Sequence, residues 1–210
     1  MQPASKQRIA VFGGTFDPVH LGHLIVAEQC REQAGLDQVW FVPAARPPHK
    51  RERALTPFGQ RVEMLALAVA GHSAFVVSEI EKDRPGPSYT ADTLTEIAAQ
   101  HSELELSFVL GSDSLPDLPL WHEPLRILEL ARLLVVARPG WPMRPLEQIM
   151  AELNPDRREL RSQIVQVPLI DLSSRELRRR VAEGRSIRYL VPRAVEIYIR
   201  EKQLYRTAEK

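Results

Sequence analysis

The stretch Ile9-Ala10-Val11-Phe12-Gly13-Gly14-Thr15-Phe16-Asp17-Pro18-Val19-His20-Leu21-Gly22-His23 decides the fold. An apolar run with β-branched residues reads as a strand, a Gly-Gly turn follows, and a helix begins near His20. A strand that feeds a helix through a short glycine loop is the opening unit of a parallel α/β sheet. Five further runs of the same kind follow at 39–42, 75–77, 106–110, 133–136 and 164–167. They are continuously hydrophobic rather than alternating, the pattern of strands covered on both faces. Helical stretches lie between and after them, near 22–34, 57–70, 90–101, 123–130, 145–153, 174–183 and 192–202. The expectation is a doubly wound, mostly parallel α/β sheet of Rossmann-like type with C-terminal helices. The prolines concentrate in loops and no repeat or linker interrupts the pattern, so residues 1–210 are expected to form one domain.

Composition narrows the partners. The chain has 210 residues, 44% hydrophobic and 26% charged, which excludes disordered, collagenous and coiled-coil classes. Its 28 basic and 27 acidic residues leave a net charge of +1, so no global field draws it to nucleic acid or a membrane. The balance is uneven along the chain: residues 1–143 hold 13 basic against 17 acidic side chains, residues 144–210 hold 15 against 10. The single cysteine, Cys30, sits in a helical pattern as a small buried thiol and fits a reducing compartment. The longest uncharged run, 64–78, is broken by Gly71-His72-Ser73 and is too short for a membrane span of about 20 residues. The N-terminal residues lack the apolar core of a secretory signal, and the expected location is the cytoplasm.

In a sheet of this kind ligands bind beyond the C-terminal ends of the strands. The loops there are Gly13 to His23, Pro43-Ala44-Ala45-Arg46-Pro47-Pro48-His49-Lys50, and Gly111-Ser112-Asp113-Ser114, and they should converge on one cleft. The glycines let main chain approach a ligand, and the N–H groups of the following helix face the same space, which makes an anion site. It is not a Gly-x-Gly-x-x-Gly loop, nor does it carry the Gly-Lys-Ser/Thr of a P-loop. His20 and His23, three apart on the first helical turn, can both reach one phosphate chain. A second cradle is offered by Asp171-Leu172-Ser173-Ser174-Arg175-Glu176-Leu177-Arg178, with hydroxyls at a helix start and an arginine one turn in. Of the cluster Arg178-Arg179-Arg180, with Arg185 and Arg188, only Arg178 shares the face of Ser174, and the others should meet solvent.

GGTFDPVHLGH resembles the signature of the nucleotidylyltransferase superfamily, and residues 171–178 resemble its second motif, with Arg175 in place of the usual Thr. Together with Pro47-Pro48-His49-Lys50, Gly86 to Leu94, Gly111 to Leu115 and Trp121, the chain closely resembles the bacterial nicotinate mononucleotide adenylyltransferases from about residue 8 to 200. The resemblance implies ATP contacts at Gly13, Gly14, Thr15, Phe16, His20, His23, Ser173, Ser174 and Arg178. It implies mononucleotide contacts at Lys50, Ser88, Tyr89, Thr90, Gly111, Asp113, Trp121 and Arg138. Ser88 to Thr90 also reads as a helix start, where spare N–H groups favour a carboxylate over a carboxamide. Trp121 is either a stacking platform or a core residue, with His122 beside it. Arg138 lies either at the cleft mouth or at a solvated strand end.

The implied reaction is attack of the 5′-phosphate of nicotinate mononucleotide on the α-phosphorus of ATP, giving deamido-NAD and pyrophosphate. His20, His23 and Arg178 would carry catalysis by neutralising charge, with no enzyme nucleophile and no metal ligated by the protein. Mg²⁺ is expected to arrive with ATP, held by phosphate oxygens and water. Asp17 is the one possible protein ligand, with a turn role as its alternative. Rival readings are another acceptor, such as nicotinamide mononucleotide or phosphopantetheine, and an arginine-rich nucleic-acid binder over residues 175–193. The near-neutral charge and the lack of an aromatic strip oppose the last of these. The partners expected are therefore ATP and nicotinate mononucleotide, with no nucleic acid and no membrane, on a monomer or weak homo-oligomer.

Overall fold

The computed structural model describes residues 6–48, 55–137, 148–149 and 161–206. Six strands, β1 (Gln7–Gly14), β2 (Gln38–Pro43), β3 (Phe75–Val77), β4 (Leu104–Gly111), β5 (Ala131–Val136) and β6 (Ser162–Val165), form one sheet. Their order is β3-β2-β1-β4-β5-β6, and every neighbouring pair is parallel. The order reverses direction between β1 and β4, which opens a crevice at their C-terminal ends.

Helices α1 (Leu21–Ala34), α2 (Phe58–Val69), α3 (Thr90–Gln100), α4 (Pro124–Leu130), α5 (Ser174–Ala182) and α6 (Arg193–Glu201) cover the two faces. Why the strands read as unbroken apolar runs is visible in the core. Leu134 and Val136 of β5 point into a cluster with Ala27 and Cys30 of α1, Met64 and Leu65 of α2, Leu177 of α5 and Val195 of α6. Leu133 and Val135, one residue out of phase, point into a second cluster with Leu94 and Ile97 of α3 and Ile127 of α4. Successive side chains face opposite sides of a strand, so two covered faces demand an apolar residue at each position.

Several expectations shift in detail. Gly13 and Gly14 are the last residues of β1, paired with Val42 and Pro43, and the chain does not turn there. The reversal falls at Phe16, which takes a left-handed backbone with φ +49°. Gly14 is glycine for a different reason: a Cβ there would lie 2.9 Å from the Phe16 ring that folds over it. Strand β6 starts and ends two residues earlier than expected: Ser162 already pairs with Leu133, and the strand stops at Val165 because Gln166 is bonded elsewhere. Its N–H donates to the Gln33 side-chain oxygen at 3.0 Å, and its carbonyl accepts from the Gln33 amide at 2.7 Å. The proline-rich segment after β4, read as a loop, contains a 3₁₀ helix over Leu115–Leu120. The helix expected at 145–153 lies outside the described residues except for 148 and 149.

Burial in the first cluster pushes the Cys30 thiol up to about 12, so at neutral pH it is protonated and shielded. An aromatic disulfide reagent at pH 8 should label the native chain only at its rate of unfolding, and denaturant should bring labelling to completion within seconds to minutes. Rapid labelling of the folded chain would contradict this burial.

Candidate active site

The loop after β1 ends at His20, which takes the extended backbone of an N-cap before α1. Its N–H donates to Nδ1 of His23 at 3.2 Å. That bond makes Nδ1 of His23 the acceptor nitrogen, so a neutral His23 carries its proton on Nε2, as a donor away from the helix. The two imidazoles are stacked, with centroids 3.7 Å apart and planes at 26°. The ring of Phe16 meets His23 edge-on at 5.0 Å and holds it from behind. Gly22 completes the arrangement: a Cβ on it would lie 3.0 Å from Nδ1 of His20. The His-x-Gly-His spacing is thus a packing solution, in which the glycine makes room for the first imidazole.

The second cradle is docked on the first. Ser174 donates its hydroxyl to the Pro18 carbonyl at 2.9 Å, and Arg178 donates from Nη1 to the Asp17 carbonyl. Ser173 is the N-cap of α5 and accepts from the Glu176 N–H at 3.2 Å. Arg175 is exposed. The remaining arginines lie outside the cleft: Arg179 pairs with Glu176 at 2.6 Å, Arg185 with Glu183 at 3.1 Å, and Arg180 donates to the Ser186 carbonyl at 2.8 Å.

On the other side of the switch point, Ser88, Tyr89 and Thr90 lead into α3. Tyr89 is its N-cap, and no side chain caps the helix. The Ser88 hydroxyl, expected as part of a cap, instead accepts from the Arg46 N–H at 3.0 Å, and the Ser88 N–H donates to the Arg46 carbonyl at 2.9 Å. Tyr89 packs on His122 at 4.4 Å, and Trp121 meets Phe108 edge-on at 6.1 Å while keeping part of its surface in solvent. Gly111 ends β4, Ser112 donates its N–H to the Val136 carbonyl at 2.8 Å, and Asp113 follows, partly exposed. Lys50 and Arg138 lie outside the described residues.

Phe16 and Asp17, both in the loop after β1, are buried. Phe16 is 2% exposed and belongs to the core, so a ligand there has only its main chain to meet. Asp17, also 2% exposed, accepts from the Tyr205 hydroxyl at 2.7 Å on Oδ1, a contact that ties this loop to the C-terminal segment. Among the described residues no group of three His, Cys, Asp or Glu is gathered to hold a metal.

Sequence reasoning missed Arg61. It is 1% exposed and donates to three main-chain carbonyls at 2.9 Å each: Thr15 and Ala44 through Nη1, Thr56 through Nε. Burial pushes its pKa below the usual guanidinium value, while Asp17, Tyr205 and Glu81 oppose the shift. The signal was available: Arg61 lies on the buried face of α2 with Met64, Leu65 and Val69, and an arginine inside an apolar stripe needs a buried partner.

A probable nicotinate-nucleotide adenylyltransferase of Thermomicrobium roseum is 52% identical over 202 residues, 96% of this chain and 93% of that one. One from Thermus thermophilus is 50% identical over 199 residues, 95% and 100% of the two chains. The solved nicotinic acid mononucleotide adenylyltransferase of Plasmodium falciparum, complexed with NaAD, shares the fold with a TM-score of 0.78 at 20% identity, over 95% of this chain and 97% of that one. A parallel sheet in this order, with paired histidines and a serine-arginine helix start at its switch point, is the framework of a nucleotidyltransferase, and residues 11–180 match the cytidylyltransferase-like family. The chain belongs to the nicotinate-nucleotide adenylyltransferase family.

The packing of His20 on Gly22 gives a direct test. Alanine is favoured over glycine within a helix by about 1 kcal/mol, so Gly22→Ala should leave the thermal midpoint within a few degrees of the parent. Displacing the imidazole by a few tenths of an ångström should nevertheless lower turnover about tenfold or more. Unchanged turnover, measured by pyrophosphate release, would show that the ring is free to move.

Proposed function

We propose that this enzyme transfers the adenylyl group of MgATP to nicotinate mononucleotide, forming nicotinate adenine dinucleotide and pyrophosphate. The observation that carries the proposal is the docking of the α5 start on the histidine loop, which sets two anion cradles side by side at the switch point. An oxygen of the acceptor's 5′-phosphate attacks the α-phosphorus, the bond from that phosphorus to the bridging oxygen breaks, and pyrophosphate leaves with the electron pair. The acceptor is ionised near neutral pH, so no residue needs to act as nucleophile. What the chain supplies is alignment and charge neutralisation.

In this reading His20 and His23 face the phosphate chain of ATP, with Nε2–H of His23 as a donor. Arg178 commits one N–H to the Asp17 carbonyl and turns others toward the leaving phosphates. Ser173, Ser174 and the main chain of Gly13, Gly14, Thr15 and Phe16 complete the nucleotide side. Mg²⁺ enters as part of the substrate, held by phosphate oxygens and water. Ser88 to Thr90, Gly111, Asp113, Trp121, Lys50 and Arg138 form the mononucleotide side, where Trp121 offers an indole face to the pyridine ring. The pairing of Arg179 and Arg185 with glutamates supports excluding nucleic acid as a partner. The described residues contain no helix long and apolar enough to cross a membrane.

The uncapped start of α3 favours a carboxylate over a carboxamide. A helix N-terminus contributes up to about 2 kcal/mol to a charge in a partly buried site, so kcat/KM for the acid should exceed that for the amide by about ten- to thirtyfold. Parallel assays of pyrophosphate release with nicotinate and nicotinamide mononucleotides measure this ratio, and a preference for the amide would overturn the assignment of Ser88 to Thr90. Phosphopantetheine in the same assay tests the other acceptor. His20→Ala should abolish turnover while leaving the circular dichroism spectrum native, and an undiminished kcat would refute the role given to the histidine pair.

A further inference from the structure

The peptide unit between Ala44 and Ala45 is gripped from both sides by buried ionic side chains. Its carbonyl accepts from Arg61 Nη1 at 2.9 Å, and its N–H donates to Glu81 Oε2 at 3.2 Å. Arg61 is 1% and Glu81 6% exposed. Each then reaches away from this peptide into a different half of the cleft. The same Nη1 of Arg61 donates to the Thr15 carbonyl in the histidine loop at 2.9 Å. The other oxygen of Glu81 accepts from the Thr93 hydroxyl at 2.6 Å, in the first turn of α3 behind Tyr89 and Thr90. Thr93 is held in turn by Arg84 Nη1 at 2.6 Å. The Ala44 N–H completes the clamp by donating to the Gly14 carbonyl at 2.8 Å.

We infer that Arg61 and Glu81 are positioning residues that hold the triphosphate loop and the acceptor helix at one separation, through the Ala44–Ala45 peptide between them. The inference rests on the reaction proposed above and goes beyond it, since neither residue belongs to the two substrate sites. In-line attack needs the acceptor oxygen about 3–3.5 Å from phosphorus, and misplacement by 1 Å can cost about 100-fold. Both substrates sit on loops that the sheet supports only at strand ends, so their separation needs a brace. Hydrogen bonds to ions are shorter and roughly twice as strong as neutral ones, and opening such a bridge strands a buried charge, which makes the brace stiff. Packing alone would be served by an apolar residue at position 61, as at Met64 and Leu65 on the same face.

The test compares Glu81→Ala, Glu81→Gln and Thr93→Val in the full chain, with kcat and KM for MgATP and nicotinate mononucleotide and the Kd of ATP alone. In Glu81→Gln the carboxamide can accept from the Ala45 N–H and donate to Thr93, whose own proton turns to the Tyr89 carbonyl, already 3.2 Å away. Glu81→Ala should lower kcat about 30- to 100-fold with ATP affinity unchanged, and Glu81→Gln should recover most of that loss. Thr93→Val, which removes the far leg while keeping side-chain volume, should lower kcat about tenfold and decides the matter if Glu81→Ala does not fold. Parental kcat in either Glu81→Ala or Thr93→Val overturns the bridge, as does a loss of ATP affinity in proportion to kcat, or a Glu81→Gln variant no better than alanine. A parent chain inert toward nicotinate mononucleotide but active with another phosphate acceptor overturns the substrate and not the bridge, which is then read from the same variants with that acceptor.

Discussion

Two hydrogen bonds join the ends of the molecule's chemistry: Ser174 to the Pro18 carbonyl and Arg178 to the Asp17 carbonyl, across 156 and 161 residues of chain. A parallel sheet positions the ends of its strands well and the loops beyond them poorly, since no hairpin ties one loop to the next. The segment after β6 makes good that deficit. Besides α5, the Leu190 carbonyl accepts from the N–H of Leu21, the first residue of α1, at 3.0 Å, and Tyr205 reaches Asp17. The loop that carries both histidines is therefore pressed between its own sheet and the C-terminal helices, and its precision depends on contacts that form only when the whole chain has folded.

The charge distribution follows the same logic. Residues 144–210 hold five more basic than acidic side chains, yet the described arginines of α5 and its flanks are mostly engaged with nearby glutamates or carbonyls. Such exposed pairs contribute little stability, because water and salt screen them. Their effect is to leave Arg178 as the arginine of that helix turned onto the histidine loop. Arg61 represents the opposite case, a buried guanidinium whose partners are carbonyls rather than a carboxylate in contact. Removing it would leave three partly buried carbonyls without their shared donor.

The sheet was legible because strands covered on both faces call for apolar residues on both sides, and the β4 and β5 runs supply them at every position of 106–110 and 133–136 except Ser107. Helix limits came within a residue or so for α1 to α6, since their stripes and flanking prolines and glycines are local signals. What could not be read was anything decided by a distant side chain. The end of β6 is set by Gln33, 133 residues away. For the site, the histidines and the α5 start were visible as dense motifs. Arg61 left only the trace of an arginine inside the apolar stripe of α2, which does not name its partners, and Glu81 left none, since its importance lies in contacts made only in three dimensions. Ser88 looked like a cap and became a staple between two loops for the same reason.

The attachment of Gln166 to Gln33 has a bearing beyond the length of β6. A strand at the margin of a sheet offers a row of unsatisfied main-chain groups to any extended segment that drifts past, whether from the same molecule or another. By occupying both the N–H and the C=O of Gln166, a single carboxamide on α1 imitates a neighbouring strand at the point where the margin would otherwise run on. The chain is thereby led off the sheet and onto the helix layer. The glutamine works as a stop for the strand, satisfying from a helix the main-chain groups that a longer β6 would have paired within the sheet.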